Sequence, residues 1–418
     1  MAEECDDGNT ADDDGCDADC VPSRVVQLDL GGMHTCVVTR TGGVRCWGRG
    51  THGQLGYGDT EARGDDEVPA DDSNVEVGGP VIQVSCGLDH TCALLVDGGV
   101  RCWGLGDHGR LGQGNLDSIG DDERPADVPP IDLGDKRVVA IEAANEHTCA
   151  IFEDRSILCW GQGALGRLGY GHEEDVGDDE SPASAGYVDV GADVLELAGG
   201  AEHTCARVEG GAMRCWGEAT YRRLGYGGSA NIGDDEAPAA AGDVPVGGRV
   251  VQVAAGNKHS CARLEDGRVR CWGYGWFGQN GHPGVAYWNG DASAHGDVDV
   301  GAAAADVFAG MILSCARFDD GTVRCWGGGS LGYNGSGTTE DLGNDEPIHG
   351  IALLELGGPV QTMSVGNNHV CALLDTAEVR CWGGALYGPL GYGNTDNIGD
   401  DELPVDAGPV PVFQAFDR

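Results

Sequence analysis

Basic residues are scarce in this chain. Lysine and arginine number 25 against 69 aspartates and glutamates, giving a formal net charge of −44 over 418 residues. Such a surface repels phosphate backbones and anionic lipid, so nucleic acid and membrane surfaces are poor partners. It suits cationic partners, divalent cations or a salty exterior. No run approaches the ~20 apolar residues needed to span a bilayer, so no transmembrane segment is expected. The opening MAEECDDGNT has neither the basic start nor the apolar stretch of a secretory signal, so an exported protein would be represented here by its mature part. No stretch reads as a long amphipathic helix. No Ser-His-Asp set or isolated carboxylate pair stands out, although dispersed residues could still assemble an enzyme site around a central channel.

Glycine, by contrast, is abundant at 74 residues, and apolar residues make up 40% of the chain, enough to build a core. Eighteen cysteines would be unusual in a reducing cytosol and point to an extracellular or cell-surface protein. Fourteen form seven pairs of one separation: Cys36 and Cys46, Cys92 and Cys102, Cys149 and Cys159, Cys205 and Cys215, Cys261 and Cys271, Cys315 and Cys325, Cys371 and Cys381. Trp-Gly follows every second cysteine, and the units start 54 to 57 residues apart. A period of that size means a solenoid or a propeller.

Within one unit, Val81 to Ser85 alternates as a strand, His90 to Leu95 makes a second and Val100 to Trp103 a third. Ile131-Asp132-Leu133 is a short fourth. Four short strands repeated seven times suit an all-β propeller whose blades pack on their neighbours. A three-residue turn, Val96-Asp97-Gly98, places Cys92 opposite Cys102, with Gly98 left-handed. Arg155 and Ala377 replace that glycine in two units, where a wider loop is expected.

The stretch HTCALLVDGGVRCWGLGDHGRLG, His90 to Gly112, resembles the regulator of chromosome condensation repeat, called α-tubulin suppressor-like in bacteria. The resemblance runs from about Val25 to the C-terminus and implies a seven-bladed β-propeller over 24–418. It implies less about function, because members include a nucleotide exchange factor, a plant UV-B photoreceptor and a secreted β-lactamase inhibitor. The photoreceptor's Gly-Trp-Arg-His-Thr motifs are missing, and an acidic disulfide-bearing protein does not suit chromatin. The paired cysteines suggest a secreted bacterial branch. Residues 1–23 contain EECDDGNTADDDGCDADC, similar to the tail of a cysteine-rich repeat of myxobacterial surface proteins. That leaves Cys5, Cys16 and Cys20 as an odd set, one of which could pair with Cys86, pair with another molecule, or stay free.

A His-x-Cys…Cys metal cluster would need His34, His90, His147, His203, His259 and His369 as ligands beside the cysteines. The sixth unit keeps Cys315 and Cys325 but carries Leu313 in place of histidine. Cross-strand disulfides are therefore the favoured reading, each worth about 2–3 kcal/mol. The histidines are then structural and expected to bond nearby backbone. Gly48 to Gly53 spells a dinucleotide fingerprint but lacks the following helix, and it reads as a turn of the repeat.

Two features carry candidate function. Acidic loops recur at Asp65, Asp66 and Glu67; Asp121, Asp122 and Glu123; Asp178, Asp179 and Glu180; Asp234, Asp235 and Glu236; and Asp400, Asp401 and Glu402. They could bind Ca2+ as a cofactor, although acidic turns bonding their own amides are the simpler expectation. The fifth unit loses this quartet and holds Tyr274, Trp276, Phe277, Tyr287 and Trp288, residue types common in binding hot spots. The combined expectation is an exported, non-enzymatic scaffold that presents loops to an unknown protein partner and is calcium-stabilised. The alternative is an enzyme or metalloprotein using the fifth unit or the channel.

Overall fold

The computed structural model describes residues 12–19 and 21–414; Cys5 and Cys20 lie outside the described residues. Seven three-stranded antiparallel sheets follow one another, each built from consecutive strands. The second shows the pattern: β4 (Val81–Cys86), β5 (His90–Leu95) and β6 (Val100–Gly104). β5 pairs with β6 in the register Leu94 to Val100 and Cys92 to Cys102. Both faces of β5 are buried, because each blade is covered by a neighbour on either side. The strands of blade 1 are β1 (Val25–Leu30), β2 (His34–Thr39) and β3 (Val44–Gly48), and the remaining blades repeat this order.

Each cysteine pair is a disulfide across the second and third strands of its blade, with Cα atoms 4.0 to 4.1 Å apart. The turn closes as the spacing requires, the Gly98 amide donating to Leu95 O at 2.9 Å with Gly98 at φ +93°. The wider loop expected at Arg155 and Ala377 is not found. Both residues take the left-handed conformation themselves, at φ +69° and +66°, and close the same turn. The disulfide and strand register hold the geometry there, so the side chain bears a modest steric cost.

The fourth strand is the larger departure. Ile131 makes a single ladder bond, its amide to Val100 O at 2.9 Å, and Ile131–Leu133 is not extended into a strand. The same lone bond joins Val75 to Val44 and Val410 to Val379. Glycine and proline around these segments prevent a longer ladder while their apolar residues still cap the core.

The blades are joined by a repeated latch. His34, His90, His147, His203, His259 and His369 each place Nε2 2.7 to 2.9 Å from a threonine or serine hydroxyl on the next blade, His369 reaching Thr35 to close the ring. The expectation of a backbone partner is thus corrected: the hydroxyl, not the histidine, donates to a carbonyl, as Thr204 does to Arg167 O at 3.0 Å. The tryptophan after each second cysteine donates Nε1–H to the same row of carbonyls at 2.8 to 3.2 Å. The imidazoles are buried and their Nδ1 atoms have no partner. Burial pushes His34, His147, His259 and His369 down to about 3, so they are neutral near pH 7. Gly31 must be glycine, because a Cβ there would lie 2.2 Å from the His34 ring.

Before blade 1, residues 12–19 pack on its turn end. Asp17 meets Arg40, and Asp13 accepts from Thr41 and Asn74. Cys16 is disulfide-bonded, whereas Cys86 is a free, buried thiol. At the joint of blades 1 and 2, His34, Cys36 and Cys86 bring their ligand atoms within 4.8 Å of one another, but Cys36 is tied to Cys46. Among the described residues, no helix is long and apolar enough to cross a membrane.

Candidate interaction face

The loop before each histidine and the loop after each Trp-Gly lie at the same end of every blade, because the first residue of the second strand pairs with the last of the third, as His90 does with Gly104. Backbone bonds tie the two loops together, Leu105 to Asp89, Glu218 to Glu202 and Tyr274 to Lys258. One face of the propeller therefore collects seven tip loops of the form Trp-Gly-x-x-x-x.

On blades 2 to 4 this face is ionic. Arg110, Arg167 and Arg223 are buried at equivalent positions, with Glu146 and Glu202 between them. Arg167 lies 3.4 Å from Glu146, and Arg223 lies 3.0 Å from Glu202 and 2.5 Å from Glu218. Burial and the adjacent Glu202 push Glu218 up. Against its own burial, Glu202 is held down by bonds from Glu218 and Arg223. Both carboxyls thus face the Arg223 guanidinium, which ties the two tip loops of blade 4 together.

On blades 5 to 7 the tips are apolar. Trp276, Tyr287, Leu331 and Leu386 are 57%, 58%, 47% and 61% exposed, with Tyr387 beside Leu386. Leu331 and Tyr387 hold φ +59° and +72°, a left-handed conformation that His108 and Leu165 share at the same tip position on blades 2 and 3. Tyr221 from blade 4 shares it at φ +59° and stacks with Tyr287, ring centroids 6.0 Å apart and planes 23° from parallel. Tyr274 lies 4.8 Å from Tyr221, and Trp276 lies 6.2 Å from Tyr287.

The fifth-unit aromatics thus divide. Tyr274, Trp276, Phe277 and Tyr287 gather on the face. Trp288 does not: it is 4% exposed, donates Nε1–H to Asp291 O at 2.9 Å and packs on His282 and His295. Its place in a partner surface is corrected to a core role, because the indole is buried within its own loop. Tyr221, Leu331, Leu386 and Tyr387 were missed. Aligning the two residues before the glycine in each Trp-Gly-x-x-x-x-Gly would have exposed them.

The acidic loops are joints between blades. The carbonyl of each quartet's glycine accepts an amide from the preceding blade, Gly58 to Gly120 at 3.1 Å and Gly393 to Gly64 at 3.1 Å closing the ring. The final glutamate turns back on its own loop, Glu67 and Glu180 each accepting from the glycine amide at 3.2 Å. Carboxylate oxygens of Asp65, Asp66 and Glu67 lie within 4.8 Å of one another, as do those of the three equivalent loops on blades 2 to 4. Burial and the adjoining aspartate push Glu67, Glu123 and Glu236 up to about 7. The quartets therefore have an architectural role and leave a crowded patch of negative charge.

A model of the RCC1-like domain matches residues 8–341, and a model of the RCC1 repeat matches residues 360–388. The chain belongs to the RCC1-like family. Ultraviolet-B receptor UVR8 of Arabidopsis thaliana is 29% identical over 392 residues, covering 92% of this chain and 83% of the receptor. E3 ubiquitin-protein ligase HERC2 of Mus musculus is 30% identical over 246 residues, covering 58% of this chain but 5% of the ligase. Among solved structures, human WBSCR16 superposes with a TM-score of 0.70 at 20% identity, covering 84% of this chain and 87% of that one. Yeast RCC1 (Prp20), bound to Kap60, gives 0.66 at 19%, covering 91% and 84%. These likenesses establish the fold; this RCC1-like chain carries a disulfide in each of the seven blades.

Proposed function

We propose that this RCC1-like propeller is a non-enzymatic scaffold working in an oxidising extracellular or cell-surface setting, and that it holds a protein partner on the apolar half of its tip-loop face. The observation that carries the reading is the crescent of Trp276, Tyr287, Leu331, Leu386 and Tyr387, exposed on three successive blades. Seven buried disulfides support the compartment. Prp20 of similar fold has been solved bound to Kap60 and is described with binding properties to Gsp1p and histones; those interactions are Prp20's own, but they support a binding role for the scaffold. The test is capture from the source culture with wild-type bait against Trp276→Ala/Tyr287→Ala. A partner held by the first and lost by the second, with thermal stability unchanged, supports the reading; a partner held equally by both overturns it.

We further propose that Ca2+ occupies the acidic loops and stabilises the ring, because three converging carboxylates at a blade joint supply part of the oxygen set the ion needs. Melting temperature with and without Ca2+ tests this. A rise lost in Asp65→Asn/Asp66→Asn is expected, and no rise overturns it.

A further inference from the structure

The seven innermost strands surround a central cavity of about 280 Å³ that opens on the same face. Its mouth is ringed by small loop residues such as Gly31, Gly87, Ala144 and Gly200. One layer down come the fifth residues of the inner strands, Asp29, Ser85, Glu142, Ala198, Ala254, Phe308 and Ser364. Asp29 is fully engaged: one oxygen accepts the Cys86 amide at 2.8 Å and the other the Ser364 hydroxyl at 2.8 Å. Glu142 is not. One oxygen accepts the Gly199 amide at 2.9 Å, and the second has no hydrogen-bond partner among the described residues while its side chain lines the cavity.

Among the described residues, no lysine, arginine or histidine lines the cavity, so two carboxyls stand there without a counter-charge. Burial pushes Glu142 up to about 8, with Asp29 and Glu196 adding to the effect against the Gly199 amide. A metal ion is poorly served, since three of the four carboxylate oxygens already accept N–H or O–H and Ca2+ wants 6–8 oxygens. An ammonium group needs only about three acceptors. Glu142 offers one, and Asn145 and Asn257 line the same cavity with side-chain amides. Leu28, Leu197 and Val253 form an apolar layer below that tolerates methylenes.

We propose that the channel mouth is a binding site for an alkylammonium group, with Glu142 as its anionic contact and Asp29 as the supporting charge. The group is that of a free amine or of a lysine side chain offered by a partner on the face.

The test uses the full chain and n-butylammonium, followed by titration calorimetry and ligand NMR. Saturable binding at one site is expected, at least tenfold weaker in Glu142→Gln, whose carbonyl oxygen still accepts the Gly199 amide and keeps the fold. Binding should strengthen from about pH 6 to about pH 9 as the Glu142 proton leaves. The surface variant Asp135→Asn/Glu209→Gln/Asp375→Asn, at exposed residues outside the cavity lining, removes more charge and should leave binding unchanged. Lack of saturation where a millimolar site would be filled overturns the site, as does equal weakening by the surface variant. Capture of the partner by Glu142→Gln bait then separates the sources: loss assigns the lysine, retention assigns the free amine. Neither small-ligand arm depends on the crescent, so the two proposals fail separately.

Discussion

The two halves of the tip-loop face use the same repeat to opposite ends. Blades 2 to 4 keep the latch and the acidic quartet and place buried arginines between glutamates, so their tip loops are tied internally. Blades 5 to 7 hold all the major departures. Blade 5 has lost the acidic quartet, and blade 6 carries Leu313 for the latch histidine. Blade 7 carries Val370 for its hydroxyl partner, and the tips there are apolar and exposed. Leu313 and Val370 are both fully buried, so the joint of blades 6 and 7 replaces the polar pair by an apolar one as a unit. Losing both partners of a buried hydrogen bond is cheap, whereas losing one is not. The repeat therefore departs from its pattern in matched pairs where the fold must be kept, and singly where a surface is being made.

The contrast can be broken most severely in the ionic half. Arg223→Met leaves Glu202 and Glu218 facing each other without a cation and should cost about 3 kcal/mol in denaturant unfolding, whereas Trp276→Ala in the apolar half should stay within about 0.5 kcal/mol. Removing one staple, Cys205→Ala/Cys215→Ala, should cost about 2–3 kcal/mol, and the same double change at Cys371 and Cys381 should cost as much, because the disulfides do not distinguish the halves. The latch gives a finer test. His147→Leu alone should cost about 1–3 kcal/mol by orphaning the Thr204 hydroxyl, and adding Thr204→Val should recover much of it by copying Leu313 and Val370. Recovery of nothing would show that the apolar joint needs its own blades.

The smallest effect is on the pH profile. Glutamates raised to about 7 at positions 67, 123 and 236 favour the folded state at low pH and lose that contribution as pH rises through 7. Histidines lowered to about 3 do the reverse. Their contribution is full above their unfolded value near 6.5 and is lost as pH falls toward 3. Four histidines outweigh three glutamates up to the unfolded histidine value, so maximum melting temperature is expected at about pH 6.5, and added Ca2+ should lessen the decline on the alkaline side if the ion replaces those protons.

Much of this was legible from local pattern. A fixed cysteine separation and a glycine in the turn specify the hairpin, since strand side chains alternate with a period of two and a cross-strand pair must be in register. Blade number follows from counting units. The fourth strand was over-read: Ile131-Asp132-Leu133 alternates, but whether it pairs depends on the neighbouring loop. Trp288 was misplaced for a related reason, because sequence marks an aromatic residue as unusual without saying which side of a loop it faces. Leu331 and Tyr387 were passed over because singly they are ordinary; only their assembly on adjacent blades makes a patch.

By itself, then, the sequence determined the hairpin, its staple and the number of blades, because each depends on spacing within one unit. Only the tertiary structure decided which departures share a face, that the latch is lost in a matched pair across two units, and that Glu142 looks into a cavity without a counter-charge. Those facts join residues 55 or more positions apart, and closure of the ring, not local preference, brings them together.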